Sequence, residues 1–225
     1  PSQTEAHFWR DMMDGLRFVR DHPLLVALAL VVGWWQLFYH CTLVVQILFA
    51  TRELELNERQ IGLCFATMGL GTVVASMLGN RISRAIGPGP CLLLGFALCG
   101  LGWLQLALSP PGTWGVVSFV FMLLCFSTGA VLIFINFLSL RQAVTPAPLL
   151  GRMTSTMRWI ILIPAGIGAL LGGYLGEHLG LRYALGFGGA GALLLAAWAW
   201  QQPVIRNVNT LPRPDENDSS DQAPR

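Results

Sequence analysis

The chain has 225 residues, of which 54% are hydrophobic and 12% charged, and its net charge is +2. That charge density is about half of what a soluble domain carries, so an ordinary water-soluble globule is excluded. The balance of 14 arginines, with no lysine, against 12 acids leaves no basic stripe interleaved with aromatics, which argues against a nucleic-acid surface.

Residues 1–22 are polar and partly amphipathic. Phe8, Met12, Leu16 and Val19 recur at helical spacing, with Arg10, Asp11, Asp14, Arg17 and Arg20 on the other faces. The segment reads as an inter-domain linker leading into a membrane helix. Asp21-His22-Pro23 is the start signal for that helix. A linker of this kind belongs inside, or toward the C-terminus of, a longer protein.

Six apolar runs follow: Leu24–Ala50, Ile61–Gly79, Pro90–Leu108, Trp114–Leu138, Trp159–His178 and Tyr183–Trp200. A bilayer core about 30 Å thick needs about 20 apolar residues in a helix, and each run is near or above that length. None carries an Asp, Glu, Lys or Arg in its middle. The fold class is therefore all-α membrane, a six-transmembrane-helix bundle over residues 23–201. Ser109-Pro110-Pro111-Gly112 and Gly180-Leu181-Arg182 are tight turns and make their flanking helices antiparallel neighbours. Residues 202–225, rich in Pro, Asp, Asn and Ser, form a disordered cytoplasmic tail.

The arginines set the orientation. With the N-terminus inside, ten fall on the cytoplasmic side: Arg10, Arg17, Arg20, Arg81, Arg84, Arg141, Arg152, Arg158, Arg206 and Arg213. Three, Arg52, Arg59 and Arg182, fall outside. The positive-inside rule then places both termini in the cytoplasm.

Small residues recur every fourth position in two spans, at Gly71, Ala75 and Gly79 and at Gly168, Gly172, Gly176 and Gly180. Such seams let helix backbones approach in lipid. They serve static packing or a surface on which helices slide, and spacing alone does not separate the two. The five cysteines lie within or at the edge of apolar runs with no CxxC spacing, so they read as small packing residues. Trp34, Trp35, Trp103 and Trp114 read as packing or interfacial anchors.

Hydrogen-bonding side chains are costly in hydrocarbon unless they face protein or water. The first span carries Gln36, Tyr39 and His40 on one face, with Gln46 at its edge. The fourth carries Thr128 and Asn136, eight residues apart and roughly aligned. These six are the candidate solute-pathway residues. His40, the only imidazole deep in a span, reads more readily as a packing residue than as a proton relay. There is no HExxH, catalytic triad, paired carboxylate or phosphate-binding loop. No enzyme, metal or cofactor is indicated, and ATP does not supply the energy for any transport.

The stretch Asn136-Phe137-Leu138-Ser139-Leu140-Arg141-Gln142-Ala143-Val144-Thr145-Pro146, continuing through Leu149-Leu150-Gly151-Arg152-Met153 to Arg158, resembles a cytoplasmic loop of the major facilitator superfamily. The likeness is to the bacterial branch of enterobactin exporters and drug-efflux permeases. Gly15-Leu16-Arg17-Phe18 with His22-Pro23-Leu24-Leu25 resembles that branch's linker into helix seven. Pro164, Gly168, Leu171-Gly172-Gly173, Gly176-Glu177 and Gly180-Leu181-Arg182 resemble its helix eleven.

The resemblance implies helices seven to twelve of a twelve-helix transporter of the bacterial inner membrane. Its partners would be the lipid bilayer, a small-molecule substrate bound between two halves, the missing N-terminal half and, as a candidate coupling ion, the proton. Arg81, Arg84, Arg141, Arg152 and Arg158 would form a cytoplasmic gate. One departure is plain: Gly79-Asn80-Arg81-Ile82-Ser83-Arg84-Ala85-Ile86-Gly87 has the family's basic cluster without its usual acid. No carboxylate lies at membrane depth, so any proton-coupling acid belongs to the other half. The competing expectation is a non-transporting six-helix remnant, or a module that pairs with another half-transporter.

Overall fold

The computed structural model describes residues 13 and 15–208. Phe8, Arg10, Asp11, Met12 and Asp14 of the expected linker lie outside them, as do Arg213 and the rest of the tail beyond residue 208.

Six helices are long and apolar enough to cross a membrane. They are α1 (Pro23–Arg52), α2 (Glu58–Ile86), α3 (Pro88–Ala107), α4 (Thr113–Ala143), α5 (Leu150–His178) and α6 (Leu181–Gln201). The described residues contain no strand. The hydropathy pattern and the architecture agree.

Local chemistry fixes where the helices start. Pro23 occupies the first turn of α1, where its missing N–H costs nothing, with His22 as N-cap. Asn57 opens α2 with a capping box. Its side chain accepts from the Gln60 N–H at 2.9 Å, and the Gln60 side chain accepts from the Asn57 N–H at 2.9 Å. Gly180 begins α6 at φ +108°, a conformation that a side chain resists, and this permits the two-residue reversal after α5. α2 and α4 outrun their apolar stretches, to Ile86 and Ala143. Apolar runs measure membrane depth, whereas Arg and Gln continue a helix into water at little cost.

α1 packs on α5 and α6, α3 on α4 and α6, and α2 on α4. α5 is joined to α6 by a turn of two residues, yet it packs mainly on α1. The glycine seam explains why. A Cβ on Gly168 would strike the Leu37 backbone, one on Gly172 the Cys41 carbonyl, and one on Gly176 would come within 2.9 Å of Val45 Cγ1. Residues 37, 41 and 45 form a matching i, i+4 row on α1. Gly180 itself belongs to the turn and not to this seam. On α2, Gly71, Ala75 and Gly79 are, with Cys64, the only buried residues. Gly71 faces Ser127 and Gly79 faces Leu132 of α4.

Other close approaches, Gly100 against Gly189 among them, are single-glycine contacts with no repeat in sequence. A Cβ on Gly129 of α4 would lie 2.6 Å from the Gly95 carbonyl of α3, and one on Gly189 of α6 would meet the Leu104 backbone of α3. Beside them Gln105 of α3 donates to the Ser118 carbonyl of α4 at 2.8 Å. All five cysteines are free thiols, and four of them are buried.

Arg182 ties three connections together at one end of the bundle. Its Nε donates to Glu53 Oε2 at 3.0 Å, just after α1. Its Nη1 donates to the carbonyls of Ala107 and Ser109, after α3. The guanidinium also sits 5.3 Å from the Phe49 ring centre. Both partners of the ion pair are about one-third exposed, so the pair alone contributes little. The charge-assisted bonds to carbonyls add more. Arg182→Gln should cost about 1–2 kcal/mol, read as a lower unfolding midpoint, with Arg59→Gln as the exposed control.

At the other end, a short helix α7 (Pro203–Arg206) buries Ile205, and the Gly89 N–H donates to the Val208 carbonyl at 3.2 Å. The tail expected to be unstructured from residue 202 thus begins as an ordered element docked on α3. Residues 15–21 are helical and run beside the start of α5, where Gly15 faces Thr156 and the Arg152 carbonyl. Both described chain ends therefore meet the same end of the bundle.

Candidate functional site: a cavity between α1, α2, α4 and α5

A cavity of about 710 Å³ opens between four of the six helices. That is within the range of small-molecule sites. α1 contributes Val32, Trp35, Gln36 and Tyr39, the i, i+3, i+4, i+7 face of its helix. α2 contributes Met68, Thr72 and Ser76. From α4 come Phe126, Ser127, Ala130, Phe134, Phe137 and Arg141, and from α5 Thr154, Arg158 and Ile161.

The α1 and α4 walls meet in an aromatic stack. The Trp35 and Tyr39 rings lie 5.3 Å apart at 8°, and Tyr39 and Phe126 lie 5.1 Å apart at 15°. Trp103 backs the stack from α3, 5.9 Å from Phe126, and is 1% exposed. Rings stacked this way are mutually braced, so the cavity has a rigid aromatic floor. Trp35 thus lines the cavity while it also packs, whereas Trp34 and Trp114 are exposed on the outside of the bundle.

Of the six candidate pathway residues, Gln36 and Tyr39 line this cavity. His40 turns back on its own helix. Its Nδ1–H donates to the Gln36 carbonyl at 2.9 Å. Gln46 is buried toward the far end of α1, and Thr128 is half-buried on α4 off the lining. Asn136 is 1% exposed and bridges helices. Its Nδ2 donates to the Leu132 carbonyl at 2.7 Å, and its Oδ1 accepts from Ser83 Oγ of α2 at 2.6 Å. Asn136→Leu would leave the Ser83 hydroxyl without this partner. It should cost about 1–3 kcal/mol in unfolding measurements while cavity-dependent binding persists.

The five arginines also divide. Arg141, half-buried, and Arg158, exposed at the rim, line the cavity at the end where α4 stops and α5 begins, whereas Arg81, Arg84 and Arg152 are exposed and off the lining. Arg141 lies 5.1 Å over the Phe137 ring. Its Nε is buried with no hydrogen-bond partner among the described residues.

Sequence reasoning passed over Thr72, Ser76 and Thr154. The signal was present, since 68, 72 and 76 form an i, i+4 row one residue from the glycine seam. A lone Ser or Thr that bonds its own helix is indistinguishable in sequence from one that faces a cavity. Ser76 does both: its Oγ donates to the Thr72 carbonyl at 2.8 Å. Among the described residues no three His, Cys, Asp or Glu side chains converge as a metal site would need.

Comparison with known proteins places this geometry in a family. The pattern defining the Major Facilitator Superfamily matches residues 26–222, and so extends over all six spans. Enterobactin exporter EntS of Escherichia coli O1:K1 is 23% identical over 197 residues, which is 87% of this chain and 45% of that protein. The proteins of the same name from Citrobacter koseri and Salmonella choleraesuis are each 24% identical over 181 residues, covering 80% of this chain and 42% of theirs. The chain spans less than half the length of the curated relatives it matches. It is a multi-pass membrane protein of a transporter family, and it belongs to the Major Facilitator Superfamily.

Proposed function

We propose that this chain is the C-terminal six-helix half of a secondary active transporter of the bacterial inner membrane, and that the transporter exports a small amphipathic solute, drug-like or siderophore-like, by alternating access. One observation carries the reading. The cavity opens on the side of the bundle flanked by α2 and α5, and these are the least buried of the six spans. Their outer faces present Val73, Val74 and Met77 and Ile163, Ile167 and Leu170. A cavity left open between two uncovered helices is what one half of a two-half transporter presents to the other.

In this reading Gln36 and Tyr39 contact solute. His40, Gln46, Thr128 and Asn136 sit behind or beyond the lining. Both termini are cytoplasmic, so Arg141 and Arg158 guard the cytoplasmic mouth, and Arg81, Arg84 and Arg152 hold the topology. Residues 1–22 link the halves, and residues 202–225 form the tail. Protons are the coupling ion, with the carboxylate that takes them in the N-terminal half. The exporter names of the relatives and the absence of any nucleotide-binding motif support the direction and the energy source.

The test is efflux. Cells expressing the complete transporter should lose a preloaded dye or siderophore faster than cells without it, and a protonophore should abolish the difference. No efflux across a panel of drugs and siderophores would favour the non-transporting alternative. Reporter fusions at Pro111 and Arg52 should read extracytoplasmic and one at Ala147 cytoplasmic. The reverse pattern would overturn the orientation.

A further inference from the structure

The cavity holds two guanidinium groups and no carboxylate. Arg141 and Arg158 line it, and the sequence has no Asp or Glu between Glu58 and Glu177. Nor does α1 carry one. On the four helices that form the walls, the acids are Glu58, in the first turn of α2, and Glu177, in the last turn of α5. Both lie at the opposite end of the bundle from Arg141 and Arg158. Glu53, also at that far end, is engaged by Arg182.

Arg141 has the sharper need. Its Nε is buried without a hydrogen bond among the described residues, and its nearest described compensation is the face of Phe137 at 5.1 Å. A cation in a low-dielectric cavity with no carboxylate among its described lining residues, Asp21 at that end lying outside the lining and beside Arg20, concentrates anions there. An aromatic face compensates a guanidinium only weakly compared with a bidentate carboxylate. Toward the middle of α1, the cavity offers the flat stack of Tyr39 and Phe126, which suits a planar apolar body.

From this arrangement we infer that the cavity selects amphipathic anions. A carboxylate or phenolate is held by Arg141 and Arg158, and the apolar body extends from them along the cavity toward the Tyr39 and Phe126 stack. This rests on the cavity being the solute site. The anionic headgroup of a lipid shares the same chemistry, and the inference assigns the arginines to the free solute.

Three probes with one ring system and different charges test it: 1-naphthoate, 1-naphthamide and 1-naphthylmethylammonium. Binding to the complete protein is measured by equilibrium dialysis in phosphatidylcholine nanodiscs. The anion should bind roughly tenfold or more tighter than the amide, and the cation should bind weakest. Arg141→Gln and Arg158→Gln should each erode that preference, whereas Arg206→Gln, off the cavity, should leave it unchanged. Arg141→Glu should turn the preference toward the cation, an outcome that loss of folding cannot imitate. Equal binding of all three probes, no binding of any, or a preference that survives both glutamine variants would overturn the inference. So would a tenfold fall in naphthoate affinity when phosphatidylglycerol is added, because the lipid headgroup would then own the site. Efflux of naphthoate is scored separately. Charge-selective binding without efflux removes the transporter reading and leaves the selectivity, while efflux of the neutral amide at the same rate as the acid does the reverse.

Discussion

Gly172→Leu should abolish the folded bundle. A Cβ at this position would land on the Cys41 carbonyl oxygen of α1, with Leu37 and Val45 one turn away on either side opposite Gly168 and Gly176. A flexible side chain could swing aside, but a helix backbone carbonyl cannot. The two helices would have to separate along the whole seam, losing the dispersion contacts that hold membrane helices together. Overpacking in a fitted core costs about 1–3 kcal/mol, and a backbone collision in a seam of three glycines should reach about 3 kcal/mol or more. The purified variant should be aggregated in size-exclusion chromatography. Gly173→Leu is the internal control. The neighbouring glycine has nothing within 4 Å of a Cβ, so the same substitution one residue on should leave the unfolding midpoint within about 0.5 kcal/mol of wild type.

The second large effect is on transport and not on folding. Ala130 lines the cavity across from Gln36 and Tyr39. Ala130→Trp would place an indole in the open volume without displacing a packed side chain. Under the proposed function, efflux should fall at least about tenfold while the unfolding midpoint stays near that of wild type. Val117→Trp, on an exposed position of the same helix, should transport normally. Normal efflux by Ala130→Trp would mean that solute does not pass through this cavity.

Most of the architecture was readable before any coordinates. Six apolar runs measure the bilayer directly, because hydrocarbon tolerates no other pattern of this length. The glycine rows at 71–79 and 168–176 were visible because a seam between two long helices repeats with the helix. The Gly95–Gly129 and Gly100–Gly189 approaches were not visible, because there each helix contributes one glycine and the pairing exists only in three dimensions. The same limit applies to the site. Gln36 and Tyr39 stood out because polar groups in an apolar run ask for an explanation. Asn136 stood out for the same reason, yet its partner is Ser83 on a neighbouring helix. A polar side chain at membrane depth must be satisfied, but whether by water, solute or another helix depends on packing that sequence does not encode locally. Arg141 and Arg158 looked like topology charges because arginines flanking a span usually are. Their shared position on one cavity wall appears only when α4 and α5 are folded together.

The central claim is that the space bounded by α1, α2, α4 and α5 is a water-accessible solute pathway. Thiol accessibility in the complete protein tests it most directly. Cysteines placed at Gln36, Thr72 and Thr154 line the cavity, one at Leu194 faces outward from α6 at 71% exposure, and one at Pro111 lies in a loop. In nanodiscs, where both membrane faces are open to the reagent, a charged thiol reagent should label the three cavity positions and the loop, and should spare Leu194→Cys. Labelling of the loop alone, with the cavity positions as unreactive as Leu194→Cys, would contradict the pathway.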